Sequence, residues 1–201
     1  MTWITTIPYE QATGPLKTLY DRVKGPDNNV DNIMLAHSLR PHSMEGHMAL
    51  YKYVLHHPRN TIKKWFLEAL GVYTSMLNEC HYCVEHHYQG MKRLVKDDER
   101  SANIRSALEQ KAPNQAFDDK QSAAFTYTKK LTLNITQMVQ QDIQTMRDAG
   151  WEDGEILEIN QVIAYFNYAN RTVLGLGINT DGDIIGLSPG DGEDLDNWNH
   201  A

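Results

Sequence analysis

The chain has only two cysteines, Cys80 and Cys83, and both fall in the run NECHYCVEHH at positions 78–87. Cysteines that staple a fold are spread out to close long loops, and they belong to small secreted domains. A lone Cys-x-x-Cys pair in an intracellular protein reads instead as redox chemistry or metal binding. On a helix, Cys80, Cys83, Val84, His87, Met91, Leu94 and Val95 form one stripe with three- and four-residue spacing. His87 is then the stacked neighbour of Cys83, within reach to take its proton or pair with its thiolate. Asn78 is a good helix cap just before Cys80, so both sulfurs are expected in or near a first turn, where the macrodipole favours thiolate over thiol.

Glu68 is the second chemical signal. It lies in the pattern Ile62, Trp65, Phe66, Ala69, Leu70, Tyr73, Met76, Leu77, and the far side of the same helix carries Leu67, Gly71, Val72, Thr74 and Ser75. Such a helix is buried nearly all round, which makes a single acid within it notable. On one unbroken helix Glu68 and Cys80 would be about 18 Å apart, too far for a proton relay. A break is therefore required. The segment 77–79 can supply it, with Asn78 ending one helix and capping the next. Folded back in this way, Glu68 could reach His87, orient the imidazole and stabilise its charged form.

The elements that must hold these groups are helical throughout. Three-and-four spacing recurs along the chain, and alternating strand patterns are almost absent. The expected segments are a short helix opened by Thr13-Gly14-Pro15 and closed at Gly25-Pro26, one from Pro41 towards Pro58, and a third capped by Asn60 or Thr61. Further helices are expected at 97–110, 118–133, 136–149 and 152–174, with Gly150 as a stop. The length of 201 residues suits one domain with a full core. The expected organisation is an all-α helical domain at 1–178 followed by an acidic, glycine-rich tail at 179–201, either solvated or laid on a neighbouring subunit. That tail holds six of the 26 acidic residues and no Lys or Arg, so the rest of the chain is almost neutral against 19 basic residues. A net charge of -7 argues against nucleic acid or anionic lipid as partners. No stretch is apolar enough for a membrane span, and the opening residues lack a basic start before an apolar run, so a cytoplasmic location is expected.

At this point the sequence resembles the alkylhydroperoxidase D-like members of the carboxymuconolactone decarboxylase superfamily, most closely their peroxidase-related branch. The resemblance rests on Glu68, Ser75, Asn78, Cys80, Tyr82-Cys83 and His87. It extends to Trp3-Ile4, Ala12-Thr13-Gly14, Ser38-Leu39-Arg40-Pro41, Leu131-Thr132, the stretches 147–150 and 165–171, and Leu174 to Gly177. It implies a helical fold, a homo-oligomer, and reduction of hydroperoxides through the cysteine pair. Cys83 then resembles the cysteine that meets peroxide oxygen and Cys80 the one that resolves the sulfenic acid. Glu68 and His87 complete the implied catalytic set. The best-known members carry a relay histidine where this chain has Tyr82, and His81, one place earlier, points about 100° away on a helix. Members that decarboxylate lactones lack the cysteine pair, which disfavours that activity.

The chemistry needs no bound cofactor, only a hydroperoxide and a dithiol donor or redox partner protein. Three alternatives stand beside it. Zinc held by Cys80, Cys83, His87 and Glu68 is chemically well formed. A redox-sensing interaction protein and a general disulfide reductase would use the same pair. His37, His42, His47, His56 and His57 also cluster in sequence, but His42 and His47 sit about 140° apart around a helix and read as ordinary boundary residues. The acidic spacing of the tail does not fit a calcium loop. Asn167, Asn170 and Arg171 could pair with backbone at a subunit contact or line the pocket, and the structural role is preferred.

Overall fold

The computed structural model describes residues 2–187 and 198. Among them are nine α-helices: α1 (Gly14–Val23), α2 (Asn32–Ala36), α3 (Pro41–Leu55), α4 (Lys64–Leu77), α5 (His81–Val95), α6 (Asp98–Glu109), α7 (Asp119–Leu133), α8 (Gln140–Asp148) and α9 (Asp153–Gly175). Their ends follow from local chemistry. Pro15 and Pro41 stand in the first turns of α1 and α3, where a missing N–H costs nothing. Asp97 and Asp118 cap α6 and α7, accepting from the backbone N–H of Arg100 at 2.9 Å and of Gln121 at 2.8 Å. Gly150 takes a φ of +95 between α8 and α9, a conformation that suits glycine.

Two local expectations change, and one short helix, α2, was not expected. Neither Asn60 nor Thr61 caps α4, which starts at Lys64 instead. The Glu158 carboxylate of α9 accepts from the backbone N–H of Thr61 at 2.9 Å and of Ile62 at 3.0 Å, so these donors are satisfied by tertiary contact before a helix begins. The segment at 136–149 is not one helix. A 3-10 turn covers Ile135–Gln137, and α8 begins only at Gln140. Asp142 fixes that start by accepting from the Val139 N–H at 2.8 Å and pairing with Lys130 at 2.7 Å. The five residues of α2 are too few to display a period.

Helix α4 is the central post, packed against α5, α6, α7 and α9. All ten residues from 66 to 75 are buried, Glu68 among them. Phe66 packs edge-on to Phe125 of α7, with ring centroids 5.6 Å apart, and stacks on Trp151. Gly71 lets α9 come close, since a Cβ there would lie 2.1 Å from the Phe166 ring. Residues 179–187, expected to be solvated or to lie on another subunit, run back onto the body, where the Asp183 carboxylate is 3% exposed. The remaining acids of the tail, Asp191, Glu193, Asp194 and Asp196, lie outside the described residues. Among the described residues, no helix is long and apolar enough to cross a membrane.

Gly71→Ala should lower the unfolding free energy by about 1–3 kcal/mol, because overpacking against Phe166 outweighs the gain in helix propensity. Urea unfolding checks this as a lower midpoint with an unchanged slope.

Candidate active site

The turn between α4 and α5 is made by three residues. Asn78 ends α4 at φ -87, ψ 0, Glu79 takes a left-handed φ of +57, and Cys80 is the N-cap of α5. The Cys80 N–H reaches back to the Ser75 carbonyl at 2.8 Å, closing the reversal. Asn78 therefore ends the first helix but does not cap the second. Its amide instead donates to the side-chain oxygens of Asn167 at 3.1 Å and Asn170 at 2.9 Å on α9, and Asn170 donates to Ser75 Oγ at 3.0 Å. Asn170 and Ser75 are fully buried, so the inner part of this bracket ties the turn to α9 through polar groups that satisfy one another away from water.

The reversal brings Glu68 to His87. Glu68 Oε2 and His87 Nδ1 are 2.8 Å apart, with the carboxylate 1% exposed and the imidazole 16%. A carboxylate accepts, so Nδ1 donates, and the neutral ring carries its lone pair on Nε2. The ring is held from two other directions. Phe166 meets it edge-on at 4.5 Å and Tyr51 at 5.9 Å. His56 Nε2 stands 3.9 Å from the other carboxylate oxygen. Burial, with Glu68 adding to it, pushes the Tyr51 hydroxyl well above its ordinary range, so Tyr51 stays neutral beside the carboxylate.

Both thiols are free and buried, Cys80 completely and Cys83 at 3% exposed. The two sulfurs do not respond alike. Hydrogen bonding from the Cys83 thiol holds Cys80 below the ordinary thiol range, against the opposing effect of burial. Cys83 is pushed well above that range, first by its hydrogen bond to Cys80 and then by burial. The two thiols are thus driven apart chiefly by the hydrogen bond between them, which lowers Cys80 and raises Cys83. Asn170 hydrogen-bonds to the pair and favours the ionised form of each sulfur. The sequence reading preferred a structural role for Asn170 over a place at the pocket; an asparagine inside a largely apolar helix face was the available signal.

A cavity of about 40 Å³ is lined by Cys83, His87, Glu68, Tyr82, Tyr165 and Leu187, among others. Cys80 does not line it. A larger open cleft of about 770 Å³ runs along α1 and α3 and includes none of Glu68, Cys80, Cys83 or His87. Tyr82 donates its hydroxyl to Asp183 at 2.8 Å and accepts from the Ile33 N–H. His81 is 78% exposed, on a different side of α5 from the thiols. The upstream histidines do not gather at one point. His42 is exposed and His47 buried, the latter with its ring 5.3 Å from that of His37 and tilted to it. Among the described residues, no group of three or more His, Cys, Asp or Glu is arranged to hold a metal ion. His87 Nδ1 is engaged by Glu68, which takes the carboxylate out of a set centred on the two sulfurs.

Several solved structures share this arrangement of helices. A peroxidase-related protein from Ralstonia eutropha JMP134, described as an alkylhydroperoxidase AhpD core, superposes with a TM-score of 0.74 at 18% identity, over 89% of this chain and 91% of that one. The fold is that of the alkylhydroperoxidase D-like proteins. A peroxidase-related protein from Silicibacter sp. TM1040 matches with a TM-score of 0.67 at 21% identity, over 75% of this chain and 76% of that one. The debrominase Bmp8, with 2,3,4-tribromopyrrole bound, matches with a TM-score of 0.65 at 13% identity, over 89% of each chain. No protein-family model and no curated protein matches the chain.

The thiol pair yields a direct expectation. In wild-type protein the first thiolate should form below the ordinary range, and Cys83→Ala should move the Cys80 ionisation upward by removing its donor. Thiolate absorbance across a pH titration of the reduced protein checks both.

Proposed function

We propose that the protein is a thiol-dependent peroxidase, an oxidoreductase that reduces hydroperoxides at Cys83. The observation that carries this reading is the 2.8 Å Glu68–His87 contact, with Glu68, His87 and Cys83 lining one small cavity. The peroxidase-related names of proteins with this fold support it. Glu68, Cys80, Cys83 and His87 are the proposed catalytic residues.

At rest the Cys83 proton is shared towards Cys80. Passing it to His87 Nε2 leaves a Cys83 thiolate facing the cavity and an imidazolium held by Glu68. The thiolate attacks the terminal peroxide oxygen. An S–O bond forms as the O–O bond breaks, and the departing alkoxide takes the proton from His87 and leaves as the alcohol. Cys83 is now a sulfenic acid, oxidised by two electrons. Cys80 sulfur attacks it, an S–S bond forms as the S–O bond breaks, and hydroxide leaves as water with the remaining thiol proton. A dithiol donor or redox partner protein returns the two electrons by thiol–disulfide exchange. No step requires a bound cofactor.

Access divides the roles of the cysteines in this reading, because Cys83 lines the cavity and Cys80 does not. The lower ionisation of Cys80 fits a resolving thiol that is ready once Cys83 is oxidised. A reducing cytoplasm suits a pair that must be reset by dithiol. Leu157 and Tyr168 are exposed on one face of α9 and support association of copies into a homo-oligomer.

Peroxide consumption with a dithiol reductant is the test. Cys83→Ser should abolish turnover, Cys80→Ser should stop it after a single oxidation of Cys83, and His87→Ala should lower kcat/KM by about 10²–10⁴-fold. Unchanged turnover in Cys83→Ser would overturn the assignment.

A further inference from the structure

We propose that residues 179–187 form a strap that sets the size of reactant admitted to Cys83, with Asp183 as its latch. The bonds that hold the strap converge on one buried carboxylate. Asp183 accepts from the Asn32 N–H with both oxygens, at 3.0 and 3.1 Å, and from the Tyr82 hydroxyl at 2.8 Å. His86 Nε2 lies 3.3 Å away. Asn32 completes the clasp from the other side, its amide donating to the carbonyls of Asn179 at 2.8 Å and Asp181 at 3.0 Å. The strap is thereby tied to α2 and to α5 at the residue next to Cys83.

Beyond the latch, the strap closes on the site. Gly186 lies flat on α5 at a φ of +86, and a Cβ there would stand 2.5 Å from Gln89 Cβ. Leu187 follows and lines the cavity that contains Cys83 and His87. That cavity is about 40 Å³, where a cavity needs about 10–15 Å³ on the same measure to hold one water, so it takes about three. It has room for a reactant the size of hydrogen peroxide and none for a hydroperoxide with a bulky organic group. Larger reactants must wait for the strap to lift, and lifting it breaks several hydrogen bonds to a carboxylate at once. The consequence for peroxides rests on the reading of Cys83 as the attacking thiol; the gating of the thiol does not.

Alkylation of Cys83 in the reduced full-length protein separates the two. Rates with iodoacetamide and with a pyrene maleimide, each normalised to the unfolded protein, are followed at Cys83 by peptide fragmentation in wild type, Asp183→Ala and Gly186→Ala. Wild type should favour the small reagent. Both variants should raise the relative rate of the bulky one by about tenfold, the scale expected when such hydrogen bonds are lost from a two-state closure. Gly186→Ala decides the matter if Asp183→Ala fails to fold, because it displaces the strap without removing the carboxylate. Equal normalised rates in wild type, or an unchanged ratio in the folded variants, would overturn the strap. The same variants should gain kcat/KM for cumene hydroperoxide relative to hydrogen peroxide. Size-selective alkylation in a protein that consumes no peroxide would uphold the strap and remove the peroxidase reading.

Discussion

Glu68 and His87 meet at 2.8 Å with the carboxylate sealed from solvent, and that contact places demands on everything around it. A carboxylate withdrawn from water needs a partner that cannot drift, because leaving it uncompensated in the interior costs about 3–5 kcal/mol. Two helices must therefore run back on one another at a fixed spacing. The left-handed Glu79, the Cys80 N–H on the Ser75 carbonyl and the asparagine bracket from α9 together produce that spacing. Strain at one residue is accepted where the packing around it leaves no other path.

The same contact links the core to the chemistry. Phe166 fills the space left by Gly71 and presents its edge to the His87 ring, so the closeness of α4 and α9 is also what keeps the imidazole from rotating. Asn170, one turn further along α9, braces the reversal and hydrogen-bonds to the thiols. Helix α9 thus serves packing and the candidate site with neighbouring residues. The site is built on rigid elements on every side but one, where a nine-residue strap hangs on hydrogen bonds to Asp183. Rigid support suits proton transfer over short distances, and a polar clasp suits a part that must open.

Much of the helical framework was legible in the chain. The ends of α1, α3, α6 and α7 carry their own proline or aspartate signals, and the all-round burial of α4 follows from its lack of charge beyond Glu68. The errors have different causes. The start of α4 follows Glu158, which is distant in sequence and satisfies backbone donors that local rules would assign to a cap, whereas the start of α8 carries a local signal, the Asp142 carboxylate accepting from the Val139 N–H three residues earlier. The tail at 179–201, expected to be solvated or laid on a neighbouring subunit, lies instead on the body of its own chain over residues 179–187. Their composition is polar and rich in glycine, and nothing in it reveals that Asn32 and Tyr82 provide donors for Asp183.

By itself, the sequence determined which groups are available: two thiols and an imidazole on one helical stripe, one acid on an apolar helix, and a segment between them able to break. These are local facts, fixed by the 3.6-residue period and by the residue types. Only the tertiary structure decided which thiol ionises more readily, which one faces a cavity, and what closes that cavity. Ionisation and access depend on the groups packed around a sulfur, and those come from α2, α3, α9 and the strap, which are adjacent in space and far apart along the chain.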